Sequence, residues 1–139
     1  MRVEALLVAD RAVVENGLLS IEGGGWEHYQ PPLLPWTLRG SLAGVLVLED
    51  AEVGSTPAIG IEMTDSDGHV DGFNASMIVN GIRPTTLGGV PCRVPLDVPF
   101  TTVARAPTVV KIGVVHAGTE LASVTFAVRE PVPDTAPDQ

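Results

Sequence analysis

The densest set of side chains able to do chemistry lies in residues 65–71, Asp-Ser-Asp-Gly-His-Val-Asp. The carboxylates of Asp65, Asp67 and Asp71 could supply the oxygen ligands that Ca²⁺ prefers. An EF-hand loop needs its glycine at the sixth position and a distant glutamate, whereas Gly68 is fourth here, so that pattern fails. Two interpretations stay open: a Ca²⁺- or small-ligand-binding turn built on these three carboxylates, or a solvated hairpin turn whose Asp and Gly residues suit the backbone.

The same turn contains the residue types of a hydrolytic triad, in Ser66, His69 and Asp71. A working triad needs a nucleophile held on a defined elbow beside an oxyanion site, and the chain has no Gly-x-Ser-x-Gly motif. The three histidines are too scattered for a known metal spacing, and Cys92 is expected to be a small buried filler. The sequence therefore predicts no catalytic residues, no cofactor and no enzymatic activity.

Aromatic residues form the second candidate site. Of six aromatic side chains, Trp26, Tyr29 and Trp36 fall within eleven residues, next to several prolines. Aromatic rings beside prolines can form a stacking surface for a sugar, a peptide or a partner protein. Alternatively, these rings close the open end of a small core. We predict that the three residues bind a partner and that at least one indole is exposed, with core closure as the alternative.

Composition narrows the possible partners. The chain has 139 residues, with 17 Asp and Glu against 8 Lys and Arg, and a formal net charge of −9. Such a protein repels nucleic-acid phosphates and anionic lipid. No apolar run approaches the roughly 18 residues of a membrane span, and the first residues do not follow an export-signal pattern. We expect a cytoplasmic protein that binds neither nucleic acid nor membrane; a homodimer or another protein partner is compatible with these features.

Turn and strand patterns indicate the elements that position these residues. Fifteen glycines and 12 prolines separate short Val, Ile and Leu runs, as is typical of many short strands. The clearest hairpin turns at Asn16-Gly17, a type I′ pair, and places Arg11 opposite Glu22. Its predicted core face consists of Ala12, Val14, Leu19 and Ile21. A second hairpin turns at Gly118.

Other segments have more specific expectations. Residues 3–9 could be helix or strand, and the strand is preferred because the Asn-Gly hairpin needs it. The prolines of residues 31–35 predict a connection that crosses between sheets. Residues 37–48 form a long strand, in which Gly40 and Gly44 could mark a bend or bulge. Prolines at alternate positions of residues 93–101 predict an edge strand, either free to pair with another chain or protected by those prolines.

About eight alternating strands and no helix predict an all-β, two-layer antiparallel β-sandwich, immunoglobulin-like or C2-like in its Greek-key wiring. Residues 1–130 form its single domain. Residues 131–139, with three prolines, are expected to be a disordered tail.

Both ends of the chain resemble a known family. Residues 3–10 (VEALLVAD), 14–19 (VENGLL), 23–26 (GGGW) and 117–128 (AGTELASVTFAV) are similar to small, largely actinobacterial proteins known as a domain of unknown function. The resemblance implies a single β-rich domain and no catalytic residues. The leading hypothesis is a non-enzymatic protein-binding or assembly module; the alternative is the Ca²⁺- or small-ligand-binding domain, and a hydrolase ranks third.

Overall fold

The computed structural model describes residues 1–54, 56–79 and 91–132, and this part of the chain folds as a β-sandwich. Its nine strands are β1 Arg2–Glu15, β2 Leu18–Gly24, β3 His28–Tyr29, β4 Trp36–Leu48, β5 Ala58–Asp65, β6 Phe73–Ile78, β7 Cys92–Ala104, β8 Thr108–His116 and β9 Thr119–Val128. Besides these strands, the described ranges contain only a short 3₁₀ turn at Asp50–Glu52. No helix in them is long and apolar enough to cross a lipid bilayer. The all-β prediction is confirmed.

Two sheets face each other across an aliphatic core. One has the strand order β2-β1-β4-β7, and the other has the order β3-β9-β8-β5-β6. Every pair is antiparallel except the two-residue β3, which runs parallel to β9. Alternate residues of each strand point inward, which is why regular apolar alternation predicted the layers. The largest fully buried side chains include Val8, Leu38, Leu42, Leu46, Ile59, Ile61, Met63, Ile112 and Phe126.

The hairpin at Asn16-Gly17 forms with the predicted register. Both turn residues have positive φ, 54° and 73°, and Arg11 lies opposite Glu22. The predicted core face is wrong for Ile21, which is 39% exposed, while only Ala12 is buried. The reason is that β1 pairs with β4 only as far as Ala9 and then continues with β2 alone. Beyond that point the two strands pair only with each other in the described ranges, and Ile21 on their shared face stays exposed.

Strand β4 is an inner strand of its sheet and lies between β1 and β7. It pairs with β7 over its full length without a register shift, so neither Gly40 nor Gly44 marks a bulge in that ladder. The irregularity lies instead in β1, between Val3 and Ala5. Gly44 has a different role: a Cβ there would stand 2.5 Å from the Ala5 carbonyl oxygen. Glycine at this position therefore permits close approach of the β1 backbone.

Strand β7 is an edge strand, as its prolines predict. The backbone nitrogens of these prolines, which carry no hydrogen to donate, face away from β4. The Val103 carbonyl accepts a hydrogen bond from the Asp71 amide, at 3.0 Å, on the side away from β4. Backbone groups alternate sides along a strand, so Pro99 and Pro95, four and eight residues before Val103, also face outward. The ladder with β4 stays complete, and the outer edge loses two donors.

The predicted crossing between sheets is also present. The chain leaves β2 in the first sheet, pairs briefly as β3 with the second sheet, and returns to the first sheet as β4. The return runs through the prolines of residues 31–35, and the Leu34–Pro35 peptide bond is cis. This crossing brings the predicted aromatic site to the end of the sandwich where β4 begins.

Candidate functional site

Trp26 packs into the end of the core. Its ring meets the rings of Phe126 and Phe100 edge-on, with centroid separations of 5.3 and 6.2 Å. Its Nε1 donates a hydrogen bond to Asp10 Oδ1 at 2.9 Å, which satisfies the polar end of the indole. Trp26 is half-buried. For this residue the core-closure alternative describes the geometry.

Tyr29 and Trp36 lie at the rim of that aromatic cluster. Trp36 Nε1 donates a hydrogen bond of 3.3 Å to Tyr29 Oη, and the tyrosine ring tilts over Trp26 with a centroid separation of 5.0 Å. Tyr29 and Trp36 are half-buried, like Trp26. The prediction that at least one indole is exposed is therefore met only in part, because each indole is partly covered. One face of the pair remains available to the surroundings because the two rings line a cleft.

The cleft has a volume of about 560 Å³, within the usual range for binding pockets of roughly 300–1,000 Å³. Its apolar wall includes Leu33, which is 54% exposed. An exposed leucine beside half-buried aromatic rings is a small apolar surface that water solvates poorly. The lining residues are Tyr29, Leu33, Pro35, Trp36, Thr37 and Arg39.

The cleft runs along an open edge of β4. Even-numbered residues of this strand, such as Trp36, point toward the core, and odd-numbered ones, such as Thr37, point to the outer face of the sheet. Tyr29, another lining residue, lies in β3 beside β9, the strand of the second sheet that contacts β1. The β7 side is covered, since Trp36 pairs with Ala104 and Thr37 with Val103. The cleft therefore lies on the side that β1 leaves after its last pair, Ala9 with Ser41.

Arg39 adds a positive charge to this rim. Its side chain is exposed and, in the described ranges, makes no ion pair. Two other cations of the sheets are engaged: Arg93 with Glu4 at 2.6 Å and Lys111 with Glu120 at 2.8 Å. Sequence reasoning missed Arg39 and Thr37, because their significance depends on where β1 separates from β4, and no local pattern marks that point.

The acidic turn does not assemble the predicted cation site. Asp65 Oδ2 accepts a hydrogen bond from the His69 amide at 2.7 Å, and the Thr108 hydroxyl lies 3.1 Å from Asp65 and 3.2 Å from Asp67. Asp71 instead forms a two-pronged ion pair with Arg105. In the part of the chain that the structure describes, no group of three or more His, Cys, Asp or Glu side chains is placed to hold a metal ion.

Arg105 also favours the ionised form of its partner, Asp71. Its hydrogen bonds lower the pKa of Asp71, with a further contribution from direct charge attraction. The pairing holds residues 69–71 against the end of β7, where the Arg105 amide donates to the His69 carbonyl at 2.7 Å. Asp71 therefore has a structural role and does not join Asp65 and Asp67 in one site. We call the Asp71–Arg105 ion pair the clasp.

The three residues of the possible triad, Ser66, His69 and Asp71, all lie in the described ranges and do not hydrogen-bond to one another through their side chains. His69 places Nδ1 at 3.2 Å from the Pro107 carbonyl oxygen, so this nitrogen is oriented by the backbone. The Asp71 carboxylate is engaged by Arg105 and does not orient the imidazole. Ser66 is exposed on the turn. Cys92 is buried in β7, as the sequence predicts for a filler.

Comparison with known proteins adds no relative. The chain matches no protein-family model, and no curated protein or solved structure matches it significantly. The family resemblance of the chain ends therefore stays a prediction.

Proposed function

We propose that this chain is a non-enzymatic β-sandwich that binds another polypeptide through the cleft at the start of β4. The observation that carries the proposal is the composition of that cleft: Tyr29 and Trp36 side by side, an exposed Leu33, and an arginine at the rim. Tyrosine, tryptophan and arginine are the residues most enriched in the energetic centres of protein interfaces.

The fixed orientation of the rings favours this function. The hydrogen bond from Trp36 to Tyr29 and the contact of Tyr29 with Trp26 tie the cleft to the core. Rings held in place before binding lose little side-chain entropy when a partner arrives, which raises affinity for a given contact area. The cleft has one apolar wall and one charged rim, a combination suited to a segment with both apolar and acidic side chains.

Site-specific photocrosslinking tests the proposal in the cells that produce the protein. A benzophenone side chain is placed at position 33, and the matched control carries it at position 109; Leu33 and Val109 are equally exposed at 54%. Val109 lies in β8, in the other sheet. We expect a discrete crosslinked product from position 33 and none of that mass from position 109, with the product lost when Trp36 is replaced by Ala.

Two outcomes have defined meanings. A product of twice the chain mass at position 33 identifies a second copy as the partner, which is the homodimer form of the same proposal. The same products from both positions, or none from position 33, would contradict the assignment of the cleft as the binding site.

A further inference from the structure

We infer that the partner binds as an added β-strand, pairing its backbone with the open edge of β4 at Thr37 and Arg39. This inference rests on the proposed function of the cleft and goes further by stating the conformation and chemistry of the bound segment. The segment is extended, with acidic side chains on one face and apolar side chains on the other.

The backbone geometry carries the first step. In an antiparallel ladder, the N–H and C=O of one residue point to the same neighbour, and successive residues alternate sides. The outward-facing groups of β7 are the odd-numbered ones. This follows because the Val103 carbonyl accepts from the Asp71 amide, and the Arg105 amide, next along the alternation, donates to the His69 carbonyl. Their partners on β4 follow the same alternation, so Thr37 and Arg39 direct their backbone groups away from β7.

These groups meet no strand in the described part of the chain. The β1–β4 ladder ends at Ser41, and Arg39 and Thr37 lie one and two alternate positions beyond it. Each has one donor and one acceptor aimed at the cleft side. An unpaired row of this kind is a template for another strand, and short peptides are recognised in this way by strand addition.

The side chains around this edge define the second step. A strand added here would place alternate residues on the outer face, next to Arg39, and the remaining residues toward Tyr29 and Trp36. Arg39 is exposed without an acidic partner in the described ranges, so it favours a carboxylate on the outer face. The half-buried rings and Leu33 favour an apolar side chain between two such acidic residues.

The test uses the folded chain and a defined probe, the pentapeptide acetyl-Val-Glu-Val-Glu-Val-amide, with amide chemical shifts followed by NMR at millimolar peptide. Strand addition relies mainly on backbone contacts, so this generic sequence should bind. We expect the largest shifts at the amides of Thr37 and Arg39. In about 0.15 M salt, which screens the long-range field of the acidic chain, a peptide with Lys in place of Glu should bind at least about fivefold more weakly, because the side chain next to Arg39 changes sign.

N-methylated peptides separate strand pairing from simple insertion into the cleft. One form is methylated at alternate amides and the other at the amides between them. In an added strand only one of these sets faces β4, so one form should lose binding and the other should retain it. This comparison leaves the protein unchanged and does not depend on the folding of any variant.

A proline exchange on the protein gives a second, independent measurement. Thr37→Pro removes a donor from the open edge, by the device that β7 already uses at Pro95 and Pro99, and should weaken the peptide at least about tenfold. Thr101→Pro is the matched control, since Thr101 faces outward on the opposite edge of the same strand pair, and should bind the peptide like the unmodified chain.

The inference is overturned if both N-methylated peptides bind equally, if no shift occurs at millimolar peptide, or if Thr37→Pro binds unchanged. Any of these results together with specific crosslinking at position 33 leaves the proposed function intact and removes only strand pairing. Loss of crosslinking at position 33 removes the proposed function itself.

Discussion

The outer edge of β7 and the open edge of β4 are the two flanks of one strand pair, and the chain treats them in opposite ways. On β7, Pro95 and Pro99 occupy outward-facing positions, and residues 69–71 bond to the strand end. On β4, the outward-facing positions beside the cleft are Thr37 and Arg39, which keep their donors. One flank lacks two donors and is bonded at its end to residues 69–71, and the other keeps its donors at two alternate residues.

The difference shows that proline protects an edge only when its position has the right parity. At an inward-facing position of β7, a proline would remove a bond to β4 and weaken the sheet. At the observed positions it leaves the ladder complete. The exposed stretch of β4 is short, which limits non-specific association, and it lies beside aromatic rings that can select a partner.

The largest expected effect comes from a substitution that pushes β1 away from β4 where their backbones approach closely. Gly44→Ala places a methyl group 2.5 Å from the Ala5 carbonyl oxygen, and a backbone atom cannot rotate away. We expect the free energy of unfolding, measured in urea, to fall by about 1–3 kcal/mol. Gly60→Ala is the control, because its nearest neighbours are 3.9 Å away, and it should be neutral or stabilising by up to about 1 kcal/mol. Equal losses in both variants would contradict the close approach at Gly44.

Local patterns predicted the elements well and their surroundings less well. The Asn16-Gly17 turn fixes the register of its hairpin, because both positions need positive φ and a two-residue loop leaves no freedom of pairing. The exposure of Ile21 was not predictable in the same way. Alternation tells which residues share a face, but whether another layer covers that face depends on where β1 separates from β4, a tertiary property.

The aromatic site shows the same limit. The spacing of Trp26, Tyr29 and Trp36 indicated a cluster, and the chain does bring the three together. Their division into a core ring and two cleft rings follows from the path between the sheets, which sequence spacing does not encode. Likewise, the sequence of the acidic turn offers three carboxylates, but Arg105, 34 residues further along the chain, pairs with Asp71.

A smaller effect is expected when the closed flank is opened. Replacing Pro95 and Pro99 by Thr restores two outward-facing donors on β7 without touching its bonds to β4. We expect the mean mass in light scattering to rise with protein concentration relative to the unmodified chain, while the free energy of unfolding falls by no more than about 1 kcal/mol. Pro32→Thr, an exposed proline outside any strand, should leave the mass unchanged. An unchanged mass in the double variant would show that the prolines do not protect this edge.

The smallest effect concerns the clasp that holds residues 69–71 over the end of β7. Arg105 lowers the pKa of Asp71 in the folded chain, so the ionised carboxylate stabilises the fold above its unfolded-state pKa of about 3.9, and this contribution disappears as pH falls through the lower folded-state value. Asp71→Asn should lower the melting temperature by a few degrees at pH 7, since the pair is exposed and screened by water. The difference between the two chains should shrink below about pH 4 and also in about 1 M salt. A difference that stays constant from pH 7 to pH 3 would mean that the clasp acts through packing and not through charge, in which case the closed flank of β7 is held by its backbone bonds and its prolines alone.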